Sequence, residues 1–90
     1  MTLPCEAVGI PLPNMTWYRN AKPLEITPGG QYSVQEDGSL VIKKLRMEDT
    51  GMFQCLAVNQ AGEDSVYTWL KVKSKSSSQY YFTFHPVMIM

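Results

Sequence analysis

Histidine is almost missing from this 90-residue chain, with His85 the single example, and cysteine occurs only at Cys5 and Cys55. Covalent catalysis needs a nucleophile, a base and an orienting group within hydrogen-bond reach, and a chain this poor in both residues has no ready source for them. An enzyme is not expected. The cysteines lie far apart and lack the close-set Cys or His partners of a structural zinc site. No metal site and no cofactor is expected, and His85 is given no ligand role. Charge of one sign is not in surplus either: Lys plus Arg is 8, Asp plus Glu is 8, and the net charge is zero. A nucleic-acid partner calls for a basic excess on one face, so none is expected. No apolar run reaches the roughly 18 residues of a membrane span, so direct membrane insertion by this segment is not expected. The opening Met1-Thr2-Leu3-Pro4 shows no basic and then apolar leader.

What the chain does have is apolar surface, with 44% hydrophobic and 18% charged residues, enough for one small folded domain. Its pattern has period two. Leu3, Cys5 and Ala7 alternate with Pro4 and Glu6; Met15, Trp17 and Arg19 with Thr16 and Tyr18; Phe53, Cys55 and Ala57 with Gln54, Leu56 and Val58. The run 65–73 alternates too, with Val66, Thr68, Leu70 and Val72 on one face. Between these runs stand turn signals: Gly9 to Asn14 with two prolines, Asn20 to Pro23, Pro28-Gly29-Gly30, and Asn59 to Gly62. Asp37-Gly38 predicts a hairpin with a two-residue turn. Residues 46–50 read as a single turn, with Asp49 as its cap in preference to any chemistry by Glu48 and Asp49. No helical period is sustained, so the chain reads as all-β. The cysteines form either one long-range disulfide or two buried thiols.

Cys5, Trp17, Leu40, the run Asp49-Thr50-Gly51-Met52-Phe53-Gln54-Cys55 and Asn59-Gln60-Ala61-Gly62 together resemble an immunoglobulin domain of the I-set. The resemblance implies a two-sheet sandwich in which Cys5 of strand B bonds Cys55 of strand F and Trp17 of strand C packs on that bridge. It places the domain at residues 1–73, strands B to G, and implies an N-terminally truncated sandwich whose A and A′ strands are missing, leaving edges bare on B and G. Phe53 stands where the family carries a tyrosine, and a looser corner is expected there. The wording around Cys5 and Cys55 is similar to the sidekick type of neural adhesion molecule. Function then follows as an expectation: a non-enzymatic protein-binding module, in the extracellular part of a cell-surface adhesion molecule or receptor, with a protein partner that includes a second copy as one option. An intracellular structural module of the titin type is the alternative, and the disulfide separates the two.

Asn14-Met15-Thr16 is a glycosylation sequon ahead of strand C. Tyr18, Leu56, Val58, Tyr67 and Trp69 take the outward positions of strands C, F and G, and large apolar residues turned to solvent on one face mark a protein-binding surface. The competing reading is a structural face covered by a neighbouring domain or by the tail. Lys43, Lys44, Arg46, Lys71, Lys73 and Lys75 read as a solvated edge, so a heparin-type glycan is not expected. After Lys73 the composition changes to a Ser-rich linker and an aromatic tail, 74–90, read as lying outside the domain. Two readings of the tail stand: a non-homologous end, or a strand at 80–85 that folds back antiparallel on strand G.

Overall fold

The computed structural model describes residues 1–73, 80–82 and 88–89. Its strands, in chain order, are β1 (Thr2–Leu3), β2 (Ala7–Val8), β3 (Asn14–Arg19), β4 (Lys22–Pro23), β5 (Tyr32–Val34), β6 (Leu40–Ile42), β7 (Gly51–Asn59), β8 (Gly62–Val72), β9 (Tyr80–Phe82) and β10 (Met88–Ile89), with a 3-10 turn at Met47–Asp49. One sheet has the order β1-β6-β5, a second β4-β3-β7-β8-β9, and β10 pairs with β2. This is the two-sheet immunoglobulin-like sandwich.

Period two explains how the sheets face each other. On β7, Phe53, Cys55 and Ala57 are buried while Met52 and Val58 are exposed; on β8, Thr68, Leu70 and Val72 are buried while Tyr67 and Trp69 are exposed. Leu3, Leu40 and Ile42 from the smaller sheet meet Trp17, Phe53, Leu70 and Val72 from the larger in one core. Cys5 and Cys55 are bonded across it, 50 residues apart in sequence, and no free cysteine remains. Closing a loop of that length contributes about 4 kcal/mol in the chain-entropy model. Trp17 is the cross-strand partner of Cys55 and is itself buried.

The corner before β7 is held without a tyrosine hydroxyl. Asp49 Oδ2 accepts from the Arg46 backbone N–H at 2.7 Å and from Gln31 Nε2 at 2.9 Å, so Asp49 does cap the turn. The Arg19 guanidinium donates to the carbonyls of Glu48 and Thr50 and lies 6.0 Å from the centre of the Phe53 ring.

The hairpin of β5 and β6 differs from its predicted two-residue turn. Gln35 N–H donates to the Ser39 carbonyl at 2.8 Å, which leaves Glu36, Asp37 and Gly38 as the loop. Only Gly38 takes a positive φ, 95°. Asp37 instead uses its carboxylate to accept from Ser39 N–H at 2.9 Å, and so does not enter the left-handed region that a two-residue turn requires. The described parts of the tail pair with the domain at two places. β9 pairs antiparallel with β8 in the register Leu70↔Phe82, Lys71↔Tyr81 and Val72↔Tyr80. Residues 83–85 of the fold-back reading lie outside the described residues. β10 pairs parallel with β2, Met88 opposite Ala7 and Ile89 opposite Val8.

Candidate protein-contact face

The outer face of the β3-β7-β8 layer is built by register. Met52 lies opposite Trp69; Tyr18 lies opposite Gln54, which lies opposite Tyr67; Thr16, Leu56 and Ser65 form the next row, and Asn14, Val58 and Glu63 the last. Apolar and aromatic residues therefore gather at one end and polar ones at the other. Trp69, Tyr67 and Met52 are 39%, 56% and 40% exposed, too much for core residues of their size. Tyr18 is half-buried beside them.

Of the five residues expected on this surface, the sheet brings Tyr18, Tyr67 and Trp69 into one cluster. Leu56 is on the same face but half-buried between Thr16 and Ser65, and Val58, although exposed, sits between Asn14 and Glu63. At the aromatic end of the face stand two residues outside the expected five, Met52 and Gln54. Met52 continues the outward set of Gln54, Leu56 and Val58, so the alternation itself carried the signal. Gln54 is polar and so carries no signal in a pattern of outward apolar residues; its Nε2 donates to Ser65 Oγ at 2.9 Å and fixes the centre of the face.

Asn14 is exposed at the start of β3, on the polar end. Asn59 Nδ2 donates to the Pro11 carbonyl at 3.1 Å and anchors the loop that precedes it. The basic residues do not form one strip: Lys43, Lys44 and Arg46 line a shallow cleft with Gly29, Gly30 and Gln31, whereas Lys71 lies on β8 and Lys73 just beyond it. Lys75 lies outside the described residues. Nothing in the arrangement of the face offers a reacting group; what it offers is aromatic area for contact.

Residues 1–72 match the immunoglobulin I-set domain. The chain is 48% identical to the protein sidekick of Drosophila melanogaster over 75 residues, 82% of this chain and 3% of that protein. It is 42% identical to sidekick-1 of Mus musculus over 87 residues, 97% of this chain and 4% of the mouse protein, so that similarity extends into the tail. Among solved structures, sidekick-1 immunoglobulin domains 1–4 superpose with a TM-score of 0.75 at 44% identity, covering 82% of this chain and 20% of the other. The chain thus spans a small fraction of the curated relatives it matches.

Proposed function

Because the chain belongs to the immunoglobulin I-set family, a non-enzymatic one, we propose that it is a protein-contact module from the extracellular part of a cell-surface adhesion molecule, acting in cell-cell recognition through the aromatic end of its β3-β7-β8 face. The observation that carries this reading is the cluster of Trp69, Tyr67 and Met52, large and exposed in two adjacent rows of one sheet face. The similarity to sidekick proteins supports the adhesion class. The Cys5–Cys55 bond supports an oxidising, extracellular setting over the titin-like alternative. In this reading β1 to β8 are strands B to G, and the A and A′ strands lie outside residues 1–73.

A second copy is the partner proposed. With a net charge of zero, two copies approach without net repulsion, and contact is left to the aromatic cluster. A glycan on Asn14 sits beside Val58, at the end of the face remote from Trp69, and leaves the cluster clear.

Display of the chain on non-adherent cells through a membrane anchor tests this. Cells carrying it are expected to aggregate, and cells carrying the Tyr67→Ala, Trp69→Ala double variant at the same surface level are expected to stay single. Equal aggregation by both, or none by either, contradicts the proposal.

A further inference from the structure

The loop between β2 and β3 turns large apolar side chains outward, with Ile10 94% and Leu12 83% exposed. A single apolar residue in water needs no explanation, but Leu12 does not stand alone. With Pro11 of its own loop and Val58 of β7 it lines a cleft of about 360 Å³, whose other walls are Asn14, Asn59 and Gln60. That is the lower end of the roughly 300–1,000 Å³ at which pockets hold small ligands. The walls are fixed from beneath: Asn59 donates through Nδ2 to the Pro11 carbonyl at 3.1 Å and accepts through Oδ1 from the Ala61 N–H at 2.9 Å. The cleft therefore offers apolar carbon on one side and side-chain amides on the other.

One of those amides is the acceptor of a sequon, Asn14-Met15-Thr16. Asn14 is the first residue of β3 and lies directly opposite Val58, a pairing that brings Cβ atoms to roughly 4.5–5.5 Å. Its side chain is exposed and has no hydrogen-bond partner among the described residues, so a sugar added to Nδ2 breaks no bond of the fold. Such a sugar starts at the lip of the cleft. Tethering makes its contact with the walls intramolecular, so weak stacking is enough to seat it. A pyranose ring suits the lining, since its faces carry C–H groups and its rim carries hydroxyl and acetamido groups. Pro11, Leu12 and Val58 match the face, and the exposed Gln60 amide matches the rim.

We propose that Asn14 is N-glycosylated and that the first N-acetylglucosamine of its glycan lies in this cleft, its ring face on Pro11, Leu12 and Val58. The linkage forms when Asn14 Nδ2 bonds the anomeric carbon of a lipid-diphosphate-linked oligosaccharide. The carbon–oxygen bond to the diphosphate breaks, the diphosphate keeps the electron pair, and Nδ2 releases one proton. The seated sugar covers apolar area that the loop otherwise leaves in water, at the end of the sheet face remote from Trp69. This inference rests on the extracellular reading above, which gives the chain access to glycosylation, and on no contact between copies.

The experiment expresses the full 90-residue chain behind a cleavable secretion leader in cells that make high-mannose glycans. An endoglycosidase then trims the glycan to its first sugar, and intact mass is expected to show one N-acetylglucosamine per chain. In dilute solution the trimmed chain is expected to melt about 4 °C above Asn14→Gln, the shift that a modest packing contact gives in a domain this small. Leu12→Ser is expected to remove most of that gain from the trimmed chain and to leave the melting of the Asn14→Gln chain unchanged, because without the sugar Leu12 touches water. Nuclear Overhauser contacts between the sugar protons and the Leu12 methyl groups are expected in the trimmed chain, and they need no variant. An unmodified Asn14 overturns the proposal, as does a trimmed chain that melts with Asn14→Gln or shows no contact to Leu12. A Leu12→Ser loss of equal size with and without the sugar overturns it too. None of these results depends on cell aggregation through Tyr67 and Trp69, so the two readings fail separately.

Discussion

The Trp17 indole N–H donates to the Gly38 carbonyl at 2.8 Å, a buried bond between residues 21 apart that ties the β3 strand of one sheet to the β5–β6 loop of the other. It runs beside the disulfide and gives the sandwich a second, polar link between its layers. Gly38 suits the position doubly. Its φ of 95° disfavours any other residue, and a Cβ there overlaps the Met15 side chain and comes within 3.3 Å of the Cys5 carbonyl.

Trp17→Phe leaves the Gly38 carbonyl buried and unpaired and opens space against the bridge. The expected loss is about 3 kcal/mol, from the missing bond and the cavity together. Urea unfolding followed by circular dichroism reads it. Gly38→Ala is expected to cost at least ~1–2 kcal/mol on backbone conformation alone.

Cys5→Ala with Cys55→Ala is expected to destabilise the domain by about 2–5 kcal/mol, and a reductant is expected to lower the melting temperature of the native chain but not that of the double variant. Intact mass of the unreduced chain, lighter by two hydrogens than the reduced one, verifies the bond before the melt.

Ala21 sits in the turn between β3 and β4 at φ 67°, next to Asn20 at 49°. A side-chain-bearing residue in the left-handed region costs roughly 1–2 kcal/mol, so Ala21→Gly is expected to stabilise the domain by about 1 kcal/mol despite the added freedom of the unfolded chain. Thermal melting of the two proteins side by side is sufficient. Asn20→Ala is expected to act oppositely, since Asn20 Oδ1 accepts from Met52 N–H at 3.1 Å.

The hydrogen bonds from Ser39 hold the Asp37 carboxyl below its ordinary value of 3.8. A depressed folded-state value means that the carboxylate stabilises the fold above the unfolded value and that this contribution fades as pH falls through the folded one. Carboxyl resonances followed by NMR are expected to titrate below 3.8 at Asp37. The stability gap between the native chain and Asp37→Asn is expected to be constant near neutral pH and to narrow in acid.

Sequence alone exposed the strands that have one wet and one dry face. β3, β7 and β8 each carry alternating residues that burial then confirms, and the turn at Asn59 to Gly62 closes as read, Asn59 opposite Gly62. β4 was not legible because Lys22 and Pro23 are both exposed and hold no alternation. β10 was not legible because two residues in parallel pairing carry no period. The face suffered from a different gap. Alternation assigns residues to a side of the sheet but not to a row, so only register could separate the Trp69–Met52 and Tyr67–Gln54–Tyr18 rows from the Val58 row. The anchoring of the corner by Asp49 and Arg19 was half visible: Asp49 as a cap, Arg19 not at all, because its partners are backbone carbonyls distant in sequence.

The most direct measurement places a photoactivatable diazirine analogue at Met52, the register partner of Trp69 and close to methionine in shape. The comparison chain carries it at Val34, which is equally exposed but on the other sheet. On aggregated cells, the account predicts covalent cross-links between copies from position 52 and none from position 34. Cross-links from position 34 alone would contradict it.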